Sequence, residues 1–168
     1  MSTLTGTITR YLNYNIWANN AIAVFLEGKE DLLDKELISS FPTIRKTLFH
    51  IADAQHIWLQ RMTGTSLTEW PSKTMNPGEA VTAMQNTAMS LAIHAADKGD
   101  SFYNEVITFK AMDGTEYRET NGNIIMHVVN HSTFHRGQLI TMFRNAGLEG
   151  KMPRTDFIAY LREMEGEK

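Results

Sequence analysis

The sequence predicts an all-α fold: a four-helix bundle with one small β-hairpin before its last long helix and a short C-terminal helix. Three observations carry this expectation. Apolar residues recur every three or four positions along four long stretches, a single pair of strand-like runs interrupts them, and no helix is flanked by several strands.

The first helix follows from Leu4, Ile8, Tyr11, Asn15, Ala18, Ile22 and Phe25, a face that ends near Gly28. Residues 29–39 read as a connection. After Ser40 and Pro42, the second helix sets Ile44, Leu48, Ile51, Gln55, Trp58 and Met62 on one stripe and stops at Gly64. Pro42 fits its first turn, where the missing N–H has no partner to lose. Residues 65–75 read as a surface loop carrying Trp70 and Pro71. Asn76, Pro77 and Glu79 then announce a third helix as a cap, a first-turn proline and a capping-box acid, and small or apolar residues continue to Gly99. Residues 105–111 and 115–119 flank Asp113-Gly114, a pair whose tolerance of positive φ signals a hairpin. The fourth helix is expected from Asn123 to Ala146, and Thr155 caps a short last helix over residues 156–163.

With 168 residues, 42% of them hydrophobic and 21% charged, the chain has the material for one domain spanning residues 1–168. Cysteine is absent, which removes disulfides and thiolate ligands and leaves any metal to imidazole or oxygen. Residues 1–10 lack a basic start followed by an apolar core, and the longest unbroken apolar run, Ala21 to Leu26, is too short to cross a bilayer. A cytoplasmic protein without a membrane partner is therefore expected. A net charge of -3 and a pI near 6.1, with Lys and Arg scattered, give no footprint for a phosphate backbone. No nucleic-acid partner is expected either.

The informative segment is His127-Val-Val-Asn-His131-Ser-Thr-Phe-His135. Six histidines placed at random in 168 residues would give about 0.2 pairs four apart, and there are two such pairs. Imidazoles one turn apart can converge on one ion at about 2.0–2.1 Å from each nitrogen. His127 and His135 are roughly 12 Å apart along the axis and cannot share an ion that His131 also binds. The chelating pair is thus His127 with His131, or His131 with His135. The stripe Ile124, Val128, His131, His135, Gln138 and Met142 places the second pair in the expected inward seam, where a cation gives buried neutral imidazoles a partner.

A third ligand must come from another helix. His50 and His56 on the second helix and His94 on the third are the candidates; His50, beside Ile51 and in mid-helix, is preferred, and the other two are expected at or near the surface. The competing reading is a hydrogen-bonded core pair or a solvated face with no metal. Ser132 stands where a His-Glu-x-x-His protease carries its glutamate, which disfavours that chemistry.

The stretch Leu48 to Arg61, the stretch His127 to Gln138 with its His135-Arg136-Gly137-Gln138 ending, and Tyr14-Asn15-Ile16-Trp17-Ala18-Asn19 together resemble the DinB/YfiT family, in order and over nearly the whole chain. The resemblance implies a four-helix bundle, a homodimer, and a divalent metal ion held by one histidine of the second helix and an HxxxH pair of the last. Carried over residue by residue, those are His50, His131 and His135, with His127 at a commonly occupied position that is not a ligand. Relatives include thiol-dependent S-transferases and a mycothiol-dependent isomerase. The Tyr14 to Asn19 motif is expected to serve helix packing.

Three neutral ligands leave an ion's charge uncancelled and a coordination position open, which favours Lewis-acid work on a thiol, a water or a carbonyl. The expected function is a metal-dependent transferase using a small thiol, or a hydrolase. The alternative is a non-catalytic, stress-related protein whose metal site is structural or vestigial. Zinc or nickel is expected first, then iron or manganese. Asp53, three residues after His50, is a candidate to orient that ring, and otherwise an exposed helical acid. Arg136 is read either as a holder of an acidic substrate group or as half of a surface ion pair. Trp17, Trp58, Phe134 and Phe143 are candidates for a pocket or for the core.

Overall fold

In the computed structural model, which describes residues 3–67 and 69–166, the Thr3 hydroxyl accepts the Gly6 N–H and opens helix α1, Leu4–Leu26. Helix α2, Ile44–Met62, is capped by Thr43, whose hydroxyl accepts the Lys46 N–H. Pro42 therefore lies before the cap rather than in the first turn as expected, because Thr43 takes the extended backbone a cap requires. Asn76 and Glu79 form the anticipated capping box, closing a 3-10 turn over Pro77–Glu79 that leads into α3, Ala80–Ala95. That helix ends short of Gly99. A five-residue helix not foreseen in the sequence, α4, Asp100–Asn104, fills the gap.

Strands β1, Val106–Lys110, and β2, Glu116–Thr120, pair antiparallel with Val106 opposite Thr120 and Lys110 opposite Glu116. Gly114 takes φ 85°, and the Asp113 carboxylate accepts the Thr115 N–H. Helix α5, Asn121–Asn145, starts two residues before the expected position because Thr120 caps it. Asp156, not Thr155, caps α6, Phe157–Met164. Gly122 is needed for close packing: a Cβ there would sit 2.9 Å from the Tyr103 carbonyl oxygen of α4.

The bundle core is divided. One apolar cluster gathers Ile22, Ile44, Leu48, Met84, Leu139 and Phe143, and a second gathers Ile8, Leu12, Leu91, Tyr103, Ile124 and Val128. Chain order along each helix shows that α1 and α5 run from the second cluster to the first, whereas α2 and α3 run the other way. Between the clusters lies a buried polar layer. Asn15 and Asn19 both donate to the Gln55 side-chain oxygen, at 2.7 and 3.2 Å, and Gln55 in turn donates to the Met84 carbonyl and the Thr87 hydroxyl. Buried amides persist only when satisfied. This layer ties α1, α2 and α3 together, and α5 joins it through Arg136, which donates to Asn15 and Asn19 one residue after His135. Among the described residues, no helix is long and apolar enough to cross a membrane.

Candidate metal centre

Successive turns of α5 present His131 and His135 toward α2, which brings His50 to meet them. The His50 and His131 Nε2 atoms are 3.0 Å apart, and ring centroids within the trio lie 4.4 to 4.8 Å from one another. One ring nitrogen from each of the three falls within 4.8 Å of the others. The geometry selects between the two pairs left open by spacing: His131 groups with His135, while the His127 ring faces Trp58 at 5.2 Å. His56 and His94 remain outside the cluster, both half-buried.

The donor set suits a divalent cation. Two imidazoles on one ion place their nitrogens about 3–3.5 Å apart, a separation His50 and His131 already have. Gln138 fixes the third ring: its side-chain oxygen lies 2.8 Å from His135 Nδ1, accepts that N–H, and so leaves Nε2 with its lone pair. Gln138 is itself held by donating to the Ser40 hydroxyl. His131 Nδ1 is buried without a hydrogen-bond partner among the described residues, so packing rather than an acceptor orients that ring.

Burial is also the main electrostatic influence. It pushes the His50 imidazole down to about 4 and His131 to about 3, with the neighbouring rings adding repulsion, and it lowers His135 against the opposing pull of its bond to Gln138. All three rings are neutral at pH 7, the form that binds metal.

Beside His50 a cavity of about 700 Å³ opens, walled by Phe41, Phe49, Trp70 and Met75 with Asp53 and Ser72. Phe41 lies 4.3 Å from the His50 ring and Trp70 5.9 Å from it. Sequence reasoning missed Phe41 as a site residue and left Trp70 in a loop; the available signal was that each precedes a proline beside the second helix.

Two expectations are corrected. Asp53 does not orient His50, and it is not exposed: it is buried and accepts both the N–H and the hydroxyl of Ser72, at 2.8 and 2.5 Å, pinning the loop that carries Trp70. Arg136 is neither a substrate anchor nor half of a surface ion pair. It is fully buried and donates to Asn15, Asn19 and Thr133 at 2.6 to 2.9 Å. The Tyr14 to Asn19 segment thus meets the His-Arg-Gly-Gln segment directly, and the packing role expected for it holds. Of the four aromatics, Phe143 is core, Phe134 is exposed beside His135, and Trp17 and Trp58 edge surface recesses.

A helical bundle whose second and last long helices present three converging neutral imidazoles belongs to a class able to hold a divalent metal ion. The DinB family model matches residues 1–167, and the chain belongs to the DinB family. It is 27% identical over 163 residues to the protein DinB of Bacillus subtilis (strain 168), a match that covers 92% of this chain and 94% of that one.

Proposed function

We propose that His50, His131 and His135 hold a divalent metal ion, zinc or nickel before iron or manganese, and that the chain is a metal-dependent enzyme transferring a group to or from a small thiol. The observation that carries this reading is the convergence of three ring nitrogens within 4.8 Å from two separate helices, all kept neutral by burial. When bound, such an ion supplies Lewis acidity, which lowers the pKa of a thiol or a water.

The walls of the adjoining cavity favour a thiol over hydrolysis. A water attack needs a positioned base, and the nearby carboxylates are engaged: Asp53 with Ser72, and Asp34 with Arg45. Glu36 stands exposed at the rim, with no hydrogen bond or ion pair to any described residue to position it. Phe41, Phe49 and Trp70 provide an apolar bed that keeps water from a reacting sulfur and accepts the carbon body of an electrophile. Resemblance to the family supports a homodimer, and a sequence without cysteine fits a cytoplasmic setting.

The test is metal analysis of the purified protein followed by an activity panel. Roughly one equivalent of metal per chain is expected, lost in His135→Ala. Bacillithiol, mycothiol or glutathione, offered with an electrophile, is expected to show metal-dependent consumption of the thiol. Metal binding with no turnover across the panel would favour a structural or vestigial site instead.

A further inference from the structure

On the far side of His127 from the trio, a second recess of about 440 Å³ is formed where the hairpin leans on the last turn of α2. Its floor is Arg61, only 8% exposed. The guanidinium lies over the Trp58 ring at 4.3 Å and over Phe109 at 5.1 Å. It makes no ion pair or side-chain hydrogen bond with any described residue, and its Nε is buried without a partner.

Stacking on rings satisfies the faces of a guanidinium, and a position at a helix C-terminus favours its charge. Neither satisfies the N–H donors, which lie in the plane of the group and point away from its faces. The buried Nε–H is costly without a partner, and the terminal N–H donors, not sealed from solvent and bonded to no described side chain, are free for a ligand to meet. The rest of the recess is suited to such a ligand. Phe109 and Tyr117 are stacked at 6.1 Å and, with Ile124, form an apolar wall. Arg118 and Glu119 stand on the rim, and Glu119 is occupied in accepting the Thr120 N–H and the Asn123 amide. Two arginines and one glutamate leave a single net positive charge in the lining, which matches a monoanion better than a phosphate dianion.

We propose that the recess bounded by Trp58, Arg61 and Phe109 binds a small molecule carrying a carboxylate on an apolar or aromatic body. The carboxylate meets the edge of Arg61 through paired N–H donors, and the body lies against Phe109, Tyr117 and Ile124. The site goes beyond the metal reading and does not depend on it: His127, whose ring is 5.9 Å from that of His131, is the wall between the two.

The experiment titrates 3-phenylpropanoate, its neutral amide and phenyl phosphate into the full chain, metal-loaded and metal-depleted, while NMR follows the indole N–H signals of the three tryptophans. The acid is expected to shift the Trp58 signal saturably in both forms, with the amide binding about tenfold more weakly. Arg61→Met, which keeps the stem packed on Trp58, is expected to abolish the shift; Arg61→Lys, which keeps charge without the planar fork, is expected to retain weakened binding. Equal binding of acid and amide, undiminished binding in Arg61→Met, tighter binding of phenyl phosphate, or no saturable shift at Trp58 would each overturn the proposal. Metal retained at the wild-type level in the trio variants, with acid binding intact, would count against the metal reading alone.

Discussion

His50 Nε2 faces His131 Nε2 at 3.0 Å across the seam between α2 and α5, with both rings held well below the ordinary imidazole pKa. In the unfolded chain these rings titrate near 6.5 and bind protons that the folded state refuses until about pH 4 for His50 and about pH 3 for His131. Their stabilising contribution is therefore complete above pH 6.5, is lost progressively as pH falls below it, and is gone once pH has passed about 4 for His50 and about 3 for His131. Denaturation midpoints of the metal-free protein are expected to fall across that window, and His131→Asn is expected to flatten the fall. Identical pH profiles for the two proteins would contradict the account.

Gln138 is expected to act on the metal through His135. Replacing it with Leu removes the acceptor at 2.8 Å from Nδ1 and frees the ring to turn. Metal affinity should drop by about 10- to 100-fold, measured by competition with a chromogenic chelator, with little change in melting temperature. An unchanged affinity would show that packing alone orients the ring.

Arg136 is expected to be structural. Arg136→Met strands the buried side-chain oxygens of Asn15 and Asn19, and each orphaned acceptor costs about 1–3 kcal/mol. Urea denaturation should report a loss of roughly 2–6 kcal/mol, while metal content per folded chain stays at the wild-type level. Retained stability with lost activity would return Arg136 to the role of substrate anchor.

Gly122→Ala forces a methyl against the Tyr103 carbonyl oxygen at 2.9 Å, at the junction of α4 and α5. Because the clash is with backbone, relief requires moving a helix, and a destabilisation of about 1–3 kcal/mol is expected. Thermal unfolding checks it. A melting temperature equal to that of wild type would mean that α4 yields without penalty.

Features legible in the sequence were those written in local periodicity. The four long helices, the Asn76 to Glu79 capping box and the Asp113-Gly114 hairpin needed only spacing and turn chemistry, while for the histidines spacing left two pairs open and the inward stripe pointed to His131 with His135. Features set by distant partners were not legible. Asp53 was misjudged because Ser72, which holds it, lies 19 residues away in a loop with no periodicity. Arg136 was misjudged because a charge is normally a surface feature, and only the facing amides of α1 make its burial tolerable. Helix α4 is too short to display a period, and the Arg61 recess draws half its walls from the hairpin, which no single stretch of sequence reveals.

The central claim is tested most directly by anomalous X-ray scattering from crystals grown with zinc or nickel. One peak is predicted at about 2.0–2.1 Å from a ring nitrogen of each of His50, His131 and His135, with its open side toward the cavity walled by Phe41 and Trp70. A peak elsewhere, or none while the three rings turn their nitrogens apart, would contradict it.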